Sequence, residues 1–315
     1  MRAILYTAPG NVALAEVPEP QPGAGQVRIR VTAATVNPAD VGTVGGYLAA
    51  AGLMPGFDDD GAREAFGLGW DVAGTVEAVG TGVTRLKVGD AVIGLNDRLD
   101  IDLGTHADLA VLDESAVARA PRTVDAAHAA TIPLNGLTAL QALDHLALAP
   151  GSTLLVTGAA GALGGYAVEL AAQRGLRVVA TSSAADEDLV RSLGAEHFVP
   201  RGEHLGDAVR ALVPGGVDGA VDAAALGTQT LEAVRSGGAF AAVLGGDPVP
   251  VPLRGIRVTN VWIRADATQL EHLSALVDAG RLTPRVAETI PLSEAAKAYD
   301  RQAKGGLRGR LVLVP

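Results

Sequence analysis

The chain has 315 residues, more than a single hydrophobic core usually organises, so two domains are expected. Its apolar content of 48% excludes a disordered polypeptide, and its 35 acidic against 25 basic residues, with no long basic run, exclude nucleic acid and anionic membrane surfaces as partners. Cysteine is absent, which excludes disulfides and thiolate metal sites and leaves His, Asp or Glu to hold any metal.

The opening MRAILYTAPG alternates as a strand does and lacks the charged head and apolar core of a secretory leader. No uninterrupted apolar run reaches the roughly 18 residues that span a bilayer, and a cytosolic protein is expected. Short strands are predicted in VRIRVTAATV, AGTVEAVG, DAVIGL and HADLAVL, separated by Gly, Pro and Asp, which predicts a mostly antiparallel sheet domain. From about Val124 to Asn260 the pattern changes: strands in TLLVTG, RVVATS, GAVDAA and GAFAAVLGG alternate with helices in LGGYAVELAAQRG and DEDLVRSLG. That is the βαβ rhythm of a doubly wound parallel sheet. After Val261, helices in DATQLEHLSALVDAGRL and LSEAAKAYDRQAKGG precede a strand in RGRLVLVP that is expected to return to the first domain. The expected division is 1–123 with 261–315, and 124–260 inserted between them.

Between strand TLLVT and the helix starting near Ala162, Gly158, Gly161 and Gly164 form a tight turn. Glycine there permits positive φ and close backbone approach, and the N–H groups opening the helix favour an anion such as a pyrophosphate. The turn departs from G-x-G-x-x-G, with Ala159 at the first position, followed by Ala160, Gly161, Ala162, Leu163 and Gly164. Strand, turn, helix and next strand nevertheless arrive in the order a dinucleotide site requires. At the end of the second strand, Thr181, Ser182 and Ser183 stand where an NAD-specific acid is expected, which favours NADPH. Asp186, Glu187 and Asp188 are assigned to capping the next helix. Arg201 has two readings, a counter-cation for the 2′-phosphate or a solvated surface arginine.

The whole chain resembles the zinc-independent quinone oxidoreductases and enoyl reductases of the medium-chain dehydrogenase/reductase superfamily. The resemblance rests on VNPADV, GWDVAGTVEAVGTGVTRLKVGDAVIG, PLNGLTALQAL, GAAGALGG and GRLVLV, in that order. It implies an α/β protein in which a doubly wound parallel Rossmann domain is inserted into a mostly β, GroES-like catalytic domain, with the active site in the interdomain cleft and a homodimer as the usual state. Zinc-dependent relatives place a cysteine and a His-Glu pair where this chain has Asn37 and Trp70-Asp71. The scattered histidines His106, His128, His145, His197, His204 and His272 are read as mostly surface or helix residues, and no metal is expected.

Without a Lewis acid, the favoured substrates are those that delocalise the charge left by hydride addition: an α,β-unsaturated carbonyl compound, reduced at its C=C bond, or a quinone. The resemblance implies Asn37 as a donor to the substrate carbonyl, with an Asx turn before Pro38 as the other reading. It also implies Tyr47 as a pocket hydroxyl and Thr138 as a residue approaching the nicotinamide. The stretch from Leu48 to Phe66 is longer than the family pattern. Asp40 and Asp71 are read as turn braces or proton-relay groups. Ala224, Ala225 and Leu226, with Gly245 and Gly246, follow predicted strands at their carboxyl ends, where backbone groups border a nicotinamide ring. Arg308 and Arg310 are read either near the cofactor phosphates or as solvated arginines. Two other readings stay open: an NADPH-binding structural or redox-sensing protein without turnover, and a zinc-type alcohol dehydrogenase.

Overall fold

The computed structural model describes residues 1–8, 11–50, 52, 65–99, 101–202, 204–243 and 249–315. The chain forms two compact units, 1–137 with 264–315, and 138–263.

The first unit begins with β1 (Arg2–Ala8), β2 (Asn11–Glu16), β3 (Gln26–Val36), α1 (Pro38–Val44), α2 (Tyr47–Ala50), β4 (Phe66–Gly67), β5 (Asp71–Val79), β6 (Ala91–Leu95), β7 (Leu109–Asp113), β8 (Val117–Arg119), α3 (Ala126–Ala129) and the start of α4 (Pro133–Leu146). Period-two alternation organises it. In β3, Val27, Ile29 and Val31 face the interior while Arg30 faces solvent and pairs with Glu77 of β5. The inward residues of β3, β5, β6, β7 and β8 pack into one core.

The second unit holds β9 (Thr153–Thr157), α5 (Ala162–Gln173), β10 (Arg177–Ser182), α6 (Glu187–Ser192), β11 (His197–Pro200), α7 (Leu205–Leu212), β12 (Val217–Asp222), α8 (Thr228–Ala233), β13 (Val234–Ala242) and β14 (Arg257–Asn260). Its parallel sheet of six strands has the order β11-β10-β9-β12-β13-β14. Every residue of β9 is buried, as a central parallel strand requires when helices cover both faces. The strand order reverses at β9, the topological switch point where α/β sheets bind ligands at their carboxyl ends.

The chain then returns to the first unit through α9 (Ala267–Asp278), β15 (Val286–Pro291), α10 (Ala295–Ala303) and β16 (Arg310–Val314). β16 pairs antiparallel with β3, and Leu311 and Leu313 enter a core with Ile4, Val36, Ile290 and Tyr299. The expected return to the first domain and the expected fold class are both present. The first unit runs on to Leu137, past the composition change near Val124, because α3 packs on β3 and β5.

Phe240 of β13 is fully buried in the core of the second unit. Phe240→Ala is expected to lower the unfolding free energy by about 3–5 kcal/mol, read from chemical denaturation.

Candidate functional site

In the first unit, Asn37, Asp40, Asp71 and Asn135 are each fully buried, and Arg310 nearly so. The end of β3, the start of α1, the start of β5 and the start of α4 bring the first four together. Asn37 Nδ2 donates to Asp71 Oδ2 at 2.6 Å and to Thr35 Oγ1 at 3.0 Å, while Asn37 Oδ1 accepts from Asn135 Nδ2 at 3.1 Å. Asp71 also accepts from the Thr35 hydroxyl and, at 2.5 Å, from the Leu134 N–H. Asp40 accepts from the N–H groups of Asn37 at 2.8 Å and Gly69 at 3.1 Å. Arg310 donates to Asn135 Oδ1.

This arrangement bears on two assignments. Asn37 is buried, and its amide bonds Asp71, Thr35 and Asn135. Arg310 is turned inward, where its charge acts on Asp40 and Asp71, because two buried carboxylates require a counter-charge; it is not a phosphate ligand. Arg308 is exposed and donates to the Gly306 carbonyl at 2.7 Å. Asp40 braces the turn at Asn37, as expected, whereas Asp71 ties the end of β3 to the start of α4. Tyr47 is half-buried at the first position of α2, and most of the stretch that follows it lies outside the described residues.

His106 is another departure, since it is 1% exposed and not a surface residue. Its Nε2 lies 2.9 Å from the Thr35 carbonyl and its Nδ1 lies 2.8 Å from the Tyr299 hydroxyl. A carbonyl only accepts, so Nε2 carries the proton and Nδ1 accepts from Tyr299. Burial lowers the imidazole to about 4, keeping it neutral, and raises the Tyr299 hydroxyl well above its ordinary range. Both ring nitrogens are therefore committed.

A catalytic zinc needs three protein ligands among thiolate, imidazole and carboxylate. Around Asp71 the neighbours are hydroxyl, amide and backbone N–H groups, and no three His, Asp or Glu side chains converge among the described residues. The donor set does not suit a zinc ion.

In the second unit the glycine turn has the form a dinucleotide needs. Gly158 has φ +60, and a Cβ on Gly164 would stand 2.2 Å from the Gly158 carbonyl oxygen, so α5 can lie this close to β9 only with glycine there. Ala159, Ala160, Ala162 and Leu163 are buried around Gly161, the residue that caps α5. The first-turn N–H groups of α5 have no acceptor one turn back within the helix, which suits an anion. Ala159 N–H donates to the Thr181 carbonyl at 3.1 Å, tying the turn to the end of β10.

At that end Thr181 and Ser182 are buried and Ser183 is half-buried. Asp186 is the N-cap residue of α6, with Glu187 and Asp188 in the first turn, as expected, but its side chain accepts from Ser182 Oγ at 3.0 Å and makes no cap hydrogen bond. The Ser182 hydroxyl is therefore committed, whereas Ser183 faces a more open surface. Arg201 is exposed and anchored by its N–H on the Ser182 carbonyl at 2.7 Å, and its guanidinium has no partner among the described residues. Thr138 is 3% exposed within α4. Ala224 is exposed, and Ala225 and Leu226 half-buried, in the turn after β12. Gly245 and Gly246 lie outside the described residues.

Burial pushes the Asp40 carboxyl up to about 7 and that of Asp71 up to about 6, against hydrogen bonds and the Arg310 charge that pull them down. Raised carboxyls hold protons in the folded state that the unfolded chain has released, so their contribution to stability is lost as pH rises from about 4 to 7. Asp40→Asn removes one such group. The stability difference between parent and this variant, followed by thermal melts from pH 5 to 8, is expected to move in the variant's favour as pH rises, with a slope of up to ~1.4 kcal/mol per pH unit.

Known proteins resemble the chain along its length. The description "Alcohol dehydrogenase GroES-like domain" matches residues 23–122, and "Zinc-binding dehydrogenase" matches residues 193–313. A chloroplast envelope quinone oxidoreductase homolog of Arabidopsis thaliana is 29% identical over 336 residues, covering 100% of this chain and 98% of the relative. A chloroplastic NADPH-dependent alkenal/one oxidoreductase of the same plant is 27% identical, covering 100% and 80%. Among solved structures, an NAD-dependent alcohol dehydrogenase superposes with a TM-score of 0.85 at 27% identity, covering 100% of both chains. A mycobacterial protein complexed with NADPH superposes with 0.84 at 28%, again over 100% of both. Matched at both ends by these domain descriptions and along its full length by such relatives, the chain belongs to the medium-chain dehydrogenase/reductase superfamily.

Proposed function

We propose that the protein is an NADPH-dependent oxidoreductase that reduces quinones or the C=C bond of α,β-unsaturated carbonyl compounds without a metal. One observation carries the reading. The position at which zinc-dependent relatives assemble ligands is filled by Asn37 and Asp71, whose polar atoms are already engaged by Thr35, Leu134 and Asn135. With no such ligand set among the described residues, the reading places the spreading of the developing charge on the substrate, and enones and quinones do so. Relatives named for quinone and alkenal/one reduction support the same substrate classes.

NADPH, when bound, supplies a hydride to the conjugated acceptor. The turn from Ala159 to Leu163 holds the pyrophosphate against the start of α5, and Ser183 and Arg201 read the 2′-phosphate, Ser182 being held by Asp186. Tyr47 is the hydroxyl assigned to the substrate carbonyl oxygen, where it donates more strongly as negative charge builds. Thr138 is assigned to the cofactor. Asn37 acts one step back, fixing the interior beneath α1. A homodimer belongs to the same reading: β14 is an edge of the sheet, and the exposed Val251, Leu253 and Trp262 lie near it in the chain. No described helix is long and apolar enough to cross a membrane, and a cytosolic location is proposed with the rest.

The test is oxidation of NADPH, followed at the nicotinamide absorbance, with quinones, enones and saturated ketones as acceptors and a chelator present. Turnover of enones or quinones that survives the chelator is expected. Chelator-sensitive reduction of saturated ketones overturns the reading, and NADPH binding without oxidation by any acceptor moves the protein to a non-catalytic role. Arg201→Ala is expected to raise KM for NADPH about 10–100-fold, the scale of a lost hydrogen bond to a charged group, with KM for NADH unchanged.

A further inference from the structure

The carboxyl ends of β9 and β12 meet at the switch point of the sheet, with Thr157 and Asp222 opposite one another in register. Asp222 is 3% exposed. Its Oδ1 accepts from Thr157 Oγ1 at 2.6 Å, Thr230 Oγ1 at 3.1 Å and the Leu226 N–H at 3.2 Å, and its Oδ2 accepts from the Gly227 N–H at 2.7 Å. Thr157 Oγ1 in turn accepts from the Ala224 N–H at 3.0 Å. One carboxylate and one hydroxyl thus bind three of the backbone N–H groups in the turn after β12.

That turn is strained. Ala225 has φ 54, a left-handed conformation that a residue with a Cβ enters at a cost and that persists only where the surroundings impose it. The turn also touches the glycine loop: a Cβ on Gly158 would meet the Ala223 carbonyl oxygen at 3.2 Å and Ala224 Cβ at 3.3 Å. In a doubly wound sheet the two halves each hold one nucleotide of the pair. The half containing β10 carries Ser183 and Arg201, the proposed readers of the adenosine phosphate, so the half opened by β12 takes the nicotinamide nucleotide.

We infer that Asp222 is a positioning residue for cofactor binding: with Thr157 it holds the Ala223–Gly227 turn against Gly158 and so shapes the nicotinamide half of the site. The inference rests on the NADPH reading above. It differs from a purely structural role, in which the carboxylate would only brace β12 and the start of α8, because it assigns the effect to one half of the dinucleotide.

The experiment compares NADPH with 2′,5′-ADP, which carries the adenosine half alone, by titration calorimetry on parent and Asp222→Asn protein. An amide in place of Oδ2 sets a donor against the Gly227 N–H, loosening the turn while leaving the side chain's shape. Binding of NADPH is expected to weaken about tenfold, the scale of one lost hydrogen bond to a charged acceptor, with binding of 2′,5′-ADP unchanged. Equal weakening of both ligands, or of neither, overturns the inference. A parent protein that binds neither ligand overturns the NADPH reading instead. Should the asparagine variant not fold, Thr230→Val removes one donor to Oδ1 from outside the glycine loop. It is expected to weaken NADPH alone by a smaller factor, and the same two contrary outcomes count against it.

Discussion

The first unit depends on keeping two carboxylates and a guanidinium in its interior. Burying charge is costly unless it is paired and hydrogen-bonded, and here the partners come from segments far apart in the chain. Asp71 at the start of β5 is satisfied by Thr35 and Asn37 at the end of β3 and by Leu134 at the start of α4. Arg310 at the start of β16 reaches the same cluster through Asn135. Asn37 sits at the centre, its amide N–H groups going to Asp71 and Thr35 and its side-chain carbonyl accepting from Asn135. Removing any of these segments leaves a buried charge or amide unanswered, so strand pairing and polar satisfaction reinforce one another.

The second unit solves a different problem with the same means. Its sheet needs an opening at the switch point, yet the loops around that opening must hold a shape. Ser182 with Asp186 fixes the end of β10, and Thr157 with Asp222 fixes the turn after β12. Each pair couples a hydroxyl to a nearly buried carboxylate. Backbone N–H groups then fasten to those pairs or to the strand ends beside them, as at Ala224, Gly227 and Arg201.

Much of this architecture was legible in the sequence because it is local. The βαβ rhythm, the glycine turn and the alternating strands of the first unit follow from periodicity and from where glycine is needed. Partners distant in the chain were not legible. His106 and Tyr299 are 193 positions apart and Asn135 and Arg310 are 175 apart, and no periodicity links such pairs. Arg310 therefore read as a solvated or phosphate-binding cation, and His106 as a surface histidine. Asp186 stands at the N-cap of α6 as its place in the chain implies, whereas its bond from Ser182 follows from the fold of β10. The roles assigned to Tyr47 and Thr138 came from resemblance, and the structure gives their burial and their helices.

The chain order of the units has a consequence for biosynthesis. Residues 138–263 form one compact unit and leave the ribosome before the segment 264–315 that completes the other. The Rossmann unit can therefore fold as a nascent domain, while the first unit waits for β16 to pair with β3 and for Arg310 to reach its cluster. Until then Asp40 and Asp71 lack the guanidinium that balances them, and Val36 lacks its cross-strand partner Leu311. The GroES-like part is begun before the Rossmann unit and finished after it, so its interior closes only once β16 has been made.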